Sequence, residues 1–358
     1  DELQPEDIAL YAAYSRLVDM PGFTESIAQN YAARHPVLSS LILHQVIEPL
    51  AERGIIPSIP SIGEISNDIS QDVRAQYEEN PFPRWRHPGE TLTFNFKNYL
   101  RAFMPEQALT SKNYASAPKI LVAGCGTGRH PINVARGIEN SHVLAVDLSR
   151  ASIAYGWRKA QEYGVSNVEF KHADILSLDS LQTPFDMIES CGVLHHMDDP
   201  EAGWKVLTHL LAPDGYMKIG LYSELARQKH ATIRAEINES AIKYTKKEMK
   251  SFRKDIISSH RQHHMEIRLR QDFYSLSNFR DLLFHVQEYR FTIPQLKQCL
   301  EELGLKFCGF EKESIVQKFR LSNTGSNDPY DLDKWQRYEE ANPRTFGSMY
   351  QFWCQKVG

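Results

Sequence analysis

The chain has 358 residues, of which 42% are hydrophobic and 24% are charged, so it can bury a sizeable core in one large domain or two. Its formal net charge of −4 argues against indiscriminate binding to nucleic acid, and its five cysteines, with no CxxC pair and no zinc-spaced cluster, indicate reduced thiols in a cytosolic protein. No apolar run approaches the roughly 18 residues of a membrane span, and the N-terminus lacks a signal pattern. The chain begins with aspartate rather than methionine, which suggests a trimmed, longer parent.

The first 70 residues predict helices. An apolar stripe at helical spacing runs through residues 38–50 and ends at Gly54, before a loop with two prolines. We interpret this region as a helical support packed beside the rest of the chain.

Aromatic side chains mark the next segment, VRAQYEENPFPRW, at residues 73–85. Tyr77, Phe82 and Trp85 bracket two prolines, which favour an extended turn. Two interpretations remain open: a structural linker, or a lid whose rings cover a bound ligand, since aromatic faces attract cations. The lid hypothesis predicts that deletion of residues 1–86 abolishes turnover and leaves a folded sheet.

A glycine turn follows a short apolar strand in KILVAGCGTGR, residues 119–129, and a helix is predicted from residue 131. Without side chains, Gly124, Gly126 and Gly128 would let backbone N–H groups and the helix dipole approach a ligand. An ordinary tight turn gives the same spacing.

An acid on the second predicted strand, residues 143–146, adds to this signal. Asp147 lies 19 residues beyond Gly128, close to where a dinucleotide-binding fold places the acid that binds the ribose hydroxyls. The dinucleotide fingerprint, however, requires glycine where this chain has Arg129. Strands at residues 168–171 and 185–189 follow.

The motifs GCGTG, AVDLS, HADIL, ESCGVLHHM and LLAPDGYMKIGLYS, within residues 119–223, resemble in order those of class I S-adenosylmethionine-dependent methyltransferases. The segment YEENPFPRW, residues 77–85, is similar to one found upstream of the glycine turn in some bacterial methyltransferases. Such proteins often carry tetratricopeptide repeats, and this sequence shows no such repeat. The resemblance implies S-adenosylmethionine as the cofactor.

Site residues for the cofactor also follow from the resemblance. The glycine turn would hold its methionine part, Asp147 its ribose and Asp174 its adenine amino group, with apolar walls for the ring. The predicted cofactor-binding residues are Gly124, Cys125, Gly126, Gly128, Asp147, Leu148, Asp174, Ile175, Ser190 and Trp85.

The substrate should face the carboxyl ends of the fourth and fifth strands. Ser190, His195, His196 and Tyr222 come from these ends, and we favour His195 and Tyr222 as catalytic residues. One of the two adjacent histidines is expected to be a packing residue. The sequence NPPY, expected after the fourth strand in adenine or glutamine N-methyltransferases, is absent, which makes those substrates less expected.

Residues 224–290 predict three helices outside the minimal sheet, at residues 224–238, 245–262 and 277–288. Residues 243–270 contain nine Lys or Arg and three acids, a net charge of 9 − 3 = +6. We interpret this run as a solvated helix face, with an acidic partner or substrate such as RNA as the alternative.

The third of these helices carries a second catalytic candidate. Phe279, Leu282, Leu283 and Val286 form its predicted buried stripe, and Ser277 is available as its cap. On another face Asp281 and His285 are spaced for contact, so the carboxylate could hold the imidazole in one tautomer and make it a general base. Helix-surface pairing is the alternative, and metal binding that adds Glu288 ranks third, because methyl transfer needs no metal.

The end of the chain predicts a helix at residues 292–303, a strand at 305–310, a loop at 323–333 and a last strand at 349–355. The predicted fold is a seven-stranded Rossmann-like α/β sheet of order 3-2-1-4-5-7-6, as the resemblance implies. We divide the chain into a helical N-terminal region and lid (1–86), a cofactor-binding core (87–223), a helical substrate cap (224–290) and the rest of the sheet (291–358).

The predicted function is methyl transfer to an O or N acceptor on a small metabolite, a peptide or a protein. A sulfonium methyl is a strong electrophile, so alignment of the acceptor supplies most of the catalysis. The alternatives are a non-catalytic cofactor-binding partner or sensor subunit, and an RNA methyltransferase that uses residues 243–270.

Overall fold

A computed structural model describes residues 4–104, 108–111 and 113–357. Its centre is one eight-stranded sheet of order β1-β4-β3-β2-β5-β6-β8-β7. β8 is antiparallel to β6 and β7, and the other pairs are parallel. The strands are β1 (Ser61–Ile62), β2 (Lys119–Ala123), β3 (His142–Asp147), β4 (Val168–Ala173), β5 (Phe185–Cys191), β6 (Leu211–Tyr222), β7 (Leu305–Phe310) and β8 (Met349–Lys356).

The Rossmann-like sheet is confirmed, and its last seven strands have the predicted order. The difference is β1, an additional two-residue strand that pairs with β4 at one edge. With Pro60 before it and Gly63 after it, β1 is too short to show an alternating pattern.

Sixteen α-helices surround the sheet in the described part of the chain. They are α1 (Pro5–Tyr14), α2 (Glu25–Arg34), α3 (Ser39–Ile42), α4 (Glu48–Ile55), α5 (Asp68–Glu79), α6 (Phe96–Arg101), α7 (Arg129–Gly137), α8 (Arg150–Glu162), α9 (Pro200–Leu210), α10 (Glu224–Glu239), α11 (Lys246–Ser258), α12 (Gln262–Ile267), α13 (Leu276–Leu283), α14 (Ile293–Glu302), α15 (Glu313–Arg320) and α16 (Leu332–Ala341).

Both faces of the sheet are buried, which explains the short continuous apolar runs of its parallel strands. Successive side chains of β2 point to opposite faces, so Leu121 joins the core with Trp204 of α9 and Trp335 of α16. Its neighbour Ile120 joins the core with Trp85 and with α7 and α8.

The predicted helical N-terminal region is confirmed, and it has a small core of its own. Ile8, Leu17, Tyr31 and Val46 pack together there. Its link to the sheet runs through α4 and α8, where Arg158 contacts Glu48 at 3.2 Å and Glu52 at 3.0 Å.

Helices α10–α13 form the predicted insertion after β6, with a core that includes Ile233, Phe252 and Phe279. The prediction of one helix at 245–262 is wrong, because α11 ends at Ser258 and α12 begins at Gln262. The helix predicted at 277–288 is α13, which begins after its cap Ser275 and ends at Leu283.

Two arginines of α10 explain why α13 ends early. Arg227 donates to the carbonyl of Leu282 at 3.4 Å. Arg234 donates to the carbonyls of Leu283 at 3.2 Å and of His285 at 2.8 Å. These tertiary hydrogen bonds satisfy carbonyls that a longer helix would satisfy along its own axis.

Near the C-terminus, the predicted loop at residues 323–333 is partly wrong. It contains a short 3-10 turn at Asp328–Tyr330, and α16 begins at Leu332. Asp331 caps α16 by accepting from the N–H groups of Asp333 at 2.9 Å and Lys334 at 3.1 Å. Within the described ranges, we find no helix with the length and apolar character of a membrane span.

Candidate functional site

A cavity of about 560 Å³ lies at the carboxyl ends of β2, β3, β4, β5 and β6. The glycine turn after β2 forms one side, and α5 with the segment after it contributes Tyr77, Phe82 and Pro83. Asp281 of α13 and Met349 of β8 also reach the wall. Ligands of open α/β sheets bind at this edge.

The glycine turn is shaped by close backbone approaches. Gly124 has a φ of +78°, and a Cβ there would lie 2.2 Å from the Val193 side chain. Gly128 has a φ of +80°, and its Cβ would lie 2.6 Å from the Cα of Gly156 in α8. Glycine is therefore required for the backbone conformation and for the packing of α7 on α8.

The predicted lid segment holds the turn from behind. The indole N–H of Trp85 donates to the carbonyl of Thr127 at 3.0 Å, and the Thr127 hydroxyl donates to the carbonyl of Pro83. Trp85 is buried in the core and does not line the cavity, which differs from its predicted role in cofactor binding. Its observed role is to support the glycine turn.

Asp147 joins the turn to β3 and faces the cavity. Its carboxylate accepts from the N–H groups of Gly126 at 2.7 Å and Ser149 at 2.9 Å. Burial raises the pKa of Asp147 to about 6, against the lowering effect of these hydrogen bonds.

Asp174 directly follows β4 and, like Asp147, lines the cavity. It accepts from the N–H of Leu176 at 3.0 Å, and this bond caps the short 3-10 turn that follows. Seven of the predicted cofactor residues line the cavity: Gly124, Cys125, Gly126, Asp147, Leu148, Asp174 and Ile175.

Gly128, Ser190 and Trp85 lie outside the wall. Side chains alternate along β5, so Ser190 is fully buried while the next residue, Cys191, faces the cavity.

Tyr77 and Asp281 in the cavity wall form a hydrogen-bonded triad with His285 behind them. The Tyr77 hydroxyl donates to Asp281 at 2.7 Å and lies 3.2 Å from Nε2 of His285. Because the single phenolic proton serves Asp281, His285 must donate its Nε2–H to the Tyr77 oxygen. The N–H of Gln287, which donates to Nδ1 of His285 at 3.3 Å, fits this tautomer.

Burial raises the pKa of Asp281 to about 6, although the Tyr77 hydrogen bond and the nearby charge of Arg227 lower it. Burial lowers the pKa of His285 well below its ordinary value. The triad at neutral pH is therefore a carboxylate, a neutral phenol and a neutral imidazole.

The structure corrects the predicted arrangement of Asp281, His285 and Glu288. They do not share a helix face, because α13 ends at Leu283; Tyr77 brings the first two together from another part of the chain. Glu288 instead accepts two hydrogen bonds from the buried Arg227, at 3.0 and 2.7 Å.

Of the adjacent histidines, His196 lines the cavity and His195 lies behind it with no exposed surface. The ring of His195 stacks on Tyr222, with centroids 3.7 Å apart, and Tyr222 faces the cavity. His196 donates from Nδ1 to the carbonyl of Gln287 at 2.7 Å, which leaves Nε2 as its acceptor. Burial lowers the pKa of His196 to about 4.

The sequence favours His195 as the catalytic residue, whereas the structure places His196 in the cavity wall. The two histidines occupy one 3-10 turn, and their order alone gives no indication of which ring faces inward. Wall residues that were not assigned from the sequence include Thr127, Arg129, His130, Asn133, Cys191, Val193, Met197 and Met349.

Arg227 connects the insertion to this end of the cavity. Its guanidinium lies 3.7 Å from the centroid of the Tyr222 ring, and it contacts Ser348 at 3.2 Å. With Glu288 as its partner, Arg227 adds little net charge to the site.

The basic run at 243–270 is partly engaged within the chain. Lys246 pairs with Glu79 at 3.1 Å, and Arg261 pairs with Glu236 at 2.9 Å. Arg253, Arg268 and Arg270 donate to backbone carbonyls at 2.8, 2.5 and 2.9 Å. Five of the nine cations thus have intramolecular partners, which weakens the case for a polyanion-binding face.

Residues 115–274 match the model of a methyltransferase domain. The chain is 29% identical over 304 residues to an uncharacterised protein of Synechococcus sp., a match that covers 76% of this chain and 68% of the relative. It is also 29% identical over 100 residues to a ubiquinone biosynthesis O-methyltransferase of Acinetobacter baumannii, covering 28% of this chain and 41% of that protein.

Among solved structures, the fold is similar to that of PKMT2 from Rickettsia typhi in complex with AdoHcy. The TM-score is 0.55 at 21% identity, and the match covers 75% of this chain and 54% of that chain. The chain thus spans about half the length of this structural relative. The matched domain, the sheet and the cavity together show an S-adenosylmethionine-dependent methyltransferase domain.

Proposed function

We propose that this methyltransferase domain transfers a methyl group to the nitrogen of an amine on a small metabolite or a peptide. The observation that carries the proposal is the carboxylate of Asp281, held by Tyr77 in the wall of the cavity. The resemblance of YEENPFPRW to segments of particular bacterial methyltransferases remains a prediction.

The residues at the strand ends fit S-adenosylmethionine. Gly126 lines the cavity, and a Cβ there would lie 3.0 Å from the carbonyl oxygen of Phe82, so glycine lets the turn approach the segment after α5 in the cavity wall. Asp147 would accept from the ribose hydroxyls and Asp174 from the adenine amino group, beside the apolar side chains of Leu148 and Ile175. When bound, the cofactor supplies an electrophilic methyl group on a sulfonium.

An amine fits the acceptor end better than an alcohol. The ammonium ion of a free amine is attracted by the Asp281 carboxylate and by the ring of Tyr77, both of which reach the cavity. Arg227, beside Tyr222, is neutralised by Glu288, so it does not repel such an ion strongly. A hydroxyl acceptor would gain no such charge complementarity.

Before it can accept a methyl group, the ammonium ion must lose a proton to expose its nitrogen lone pair. Asp281 is placed to take this proton, and a pKa of about 6 keeps it ionised at neutral pH. His196, with its free Nε2 in the wall, is the second group that could accept a proton. Alignment of the lone pair and exclusion of water by Phe82 and Pro83 would supply the rest of the rate.

The test is a paired acceptor assay. The purified protein is incubated with methyl-labelled S-adenosylmethionine and with two peptide libraries that differ only in lysine or serine at the central position. A matched pair of small amines and alcohols is assayed in parallel, and mass spectrometry locates the methyl group. We expect methylation of amines, and its strong reduction in Asp281→Asn. Transfer to hydroxyl groups alone, as the name of the Acinetobacter relative would indicate, would contradict the amine assignment.

A non-catalytic cofactor-binding subunit is the alternative from a different class. It predicts cofactor binding with no labelled product from any acceptor or cell extract. The lining of the acceptor end by Asp281, Tyr222 and His196 favours the enzyme, since a binding subunit needs no such groups.

A further inference from the structure

A second cluster of chemically competent side chains lies in the insertion, apart from the cavity. Glu236 of α10, His263 and His264 of α12 place one ligand atom each within 4.8 Å of one another. Nε2 of His263 lies 2.6 Å from one oxygen of Glu236, and Nε2 of His264 lies 2.8 Å from the other. None of the three residues lines the methyl-transfer cavity.

We propose that Glu236, His263 and His264 form a binding site for a divalent transition metal, with Zn²⁺ as the expected ion. Two imidazoles and one carboxylate are a ligand set that zinc accepts, and a water molecule completes its tetrahedral coordination. This site differs from the metal site predicted from the sequence, which consisted of Asp281, His285 and Glu288. The fold does not bring those three residues together on one helix face.

The convergence of the two imidazoles is the main structural support. Adjacent residues on a helix project about 100° apart, so a surface pair would ordinarily diverge. Here both Nε2 atoms turn toward one carboxylate on another helix. The ligand set therefore exists before a metal binds, and the loop-ordering cost of assembling it is small.

Burial of the three side chains is graded in a way that suits a metal site. His264 is 1% exposed, whereas His263 and Glu236 are 22% and 18% exposed. The buried imidazole packs against Phe252, with ring centroids 6.4 Å apart, which fixes its orientation. The two more exposed ligands leave a route from solvent and a place for a coordinated water.

Arg261 provides an internal test of the proposal. Its guanidinium donates to the same Glu236 oxygen that faces His263, at 2.9 Å, and its side chain is 57% exposed. A bound cation would compete with Arg261 for this oxygen and be repelled by its charge. Loss of the guanidinium should therefore strengthen metal binding, whereas a cluster that serves only as an ion pair would gain nothing from that loss.

A bound metal would also fix α12 against α10, the helix that carries Arg227 to the side of Tyr222. The metal would thus stabilise the insertion without taking part in methyl transfer.

The experiment uses the full chain without an affinity tag, stripped with a chelator and then dialysed. Co²⁺ is added as a spectroscopic probe, and Zn²⁺ affinity is measured by its displacement of Co²⁺. His263→Gln and Glu236→Gln should each weaken Zn²⁺ binding at least about 10-fold, the lower range for disturbing a metal site. The matched control His260→Gln alters an exposed neighbouring histidine outside the cluster and should leave the affinity unchanged.

Arg261→Gln should bind Zn²⁺ more tightly than the wild type. Circular dichroism verifies that each variant is folded, and Zn²⁺ should raise the melting temperature of the wild type but not of His263→Gln, because it binds the native state. Equal Zn²⁺ affinity in the wild type, His263→Gln and Glu236→Gln would overturn the proposal. So would a loss of affinity in His260→Gln equal to that in His263→Gln.

Discussion

At the scale of single residues, the cavity wall contains three carboxylates, Asp147, Asp174 and Asp281, with different surroundings. Asp147 accepts from two backbone N–H groups and Asp281 accepts from a phenol, yet burial raises the pKa of both to about 6. In the folded protein the neutral form of each is thus favoured relative to an ordinary aspartate. Their contribution to stability is present at low pH and is lost as the pH rises through about 6.

The pH dependence of turnover should report Asp281. The carboxylate must be ionised to bind an ammonium ion, so kcat/KM should rise with pH through a limb near pH 6, where Asp281 titrates. Asp281→Asn should lower kcat by about 10²-fold, the lower range for losing a general base, and should remove this limb. The measurement is a pH profile of both proteins at saturating cofactor.

Tyr77→Phe is the matched variant, because it keeps the ring and removes only the hydroxyl. The hydrogen bond from Tyr77 lowers the pKa of Asp281, so its loss should move the limb to higher pH. A limb that stays in place in Tyr77→Phe and persists in Asp281→Asn would assign the titration to another group, such as His196.

Asp147 should control cofactor affinity. Asp147→Ala should weaken S-adenosylmethionine binding by roughly 2 to 4 kcal/mol, as expected for the loss of charge-assisted hydrogen bonds. Because Asp147 also holds Gly126 and Ser149, the melting temperature of the variant must be measured with the calorimetric titration. Tight binding of NAD with no binding of S-adenosylmethionine would contradict the proposed role.

At the scale of helices and strands, the sequence predicts what depends on local pattern. The glycine turn and the acids at the ends of β3 and β4 follow from short motifs and their spacing, whereas the order of seven strands follows from the family resemblance. The end of α13 could not be predicted, because arginines about 50 residues away bind its last carbonyls. Tyr77 and Asp281 are 204 residues apart in the sequence, so no local periodicity can indicate their hydrogen bond.

The packing of α7 on α8 can be tested with two glycines of positive φ. Gly128→Ala and Gly164→Ala should both suffer the strain of a left-handed backbone, about 1–2 kcal/mol. Only Gly128 lies against another backbone, since nothing lies within 4 Å of a Cβ at Gly164. Gly128→Ala should therefore destabilise the protein by a further ~1–3 kcal/mol, the cost of overpacking.

Urea unfolding of the two variants measures this difference. We also expect weaker cofactor binding in Gly128→Ala alone. The substitution would displace the glycine turn, and Gly126 and Thr127 of this turn line the cavity. Equal losses of stability in both variants would show that α7 and α8 can separate without cost.

At the scale of the whole molecule, the residues that the structure describes form four hydrophobic clusters, two on the faces of the sheet and one each in the N-terminal helices and the insertion. The methyl-transfer cavity draws its wall from the sheet, from α5 and the segment after it, and from α13. Sequence motifs located the sheet side of this cavity. The opposite side depends on how α5 and the insertion pack over it, which is a property of tertiary contacts.

The last prediction separates the N-terminal helices from the part of the N-terminal region that builds the site. The sequence alone predicts that deletion of residues 1–86 leaves a folded sheet, but the structure argues against this. That deletion removes β1, the buried Trp85 and the Pro83 carbonyl that binds Thr127. We expect a chain of residues 87–358 to lose cofactor binding together with turnover.

A chain of residues 58–358 should behave differently, because it keeps β1, α5 and the segment at residues 77–85 while removing the separate core of the N-terminal helices. It should bind S-adenosylmethionine with nearly wild-type affinity and melt at a lower temperature, since Arg158, whose side chain is 11% exposed, loses Glu48 and Glu52 as partners. Calorimetry and thermal unfolding of both truncated chains provide the comparison. If the shorter chain, residues 87–358, binds the cofactor as tightly as the full chain, then the contacts of Trp85 and Pro83 do not support the glycine turn. If the longer chain also fails to bind, the N-terminal helices are part of the methyltransferase unit through α4 and α8.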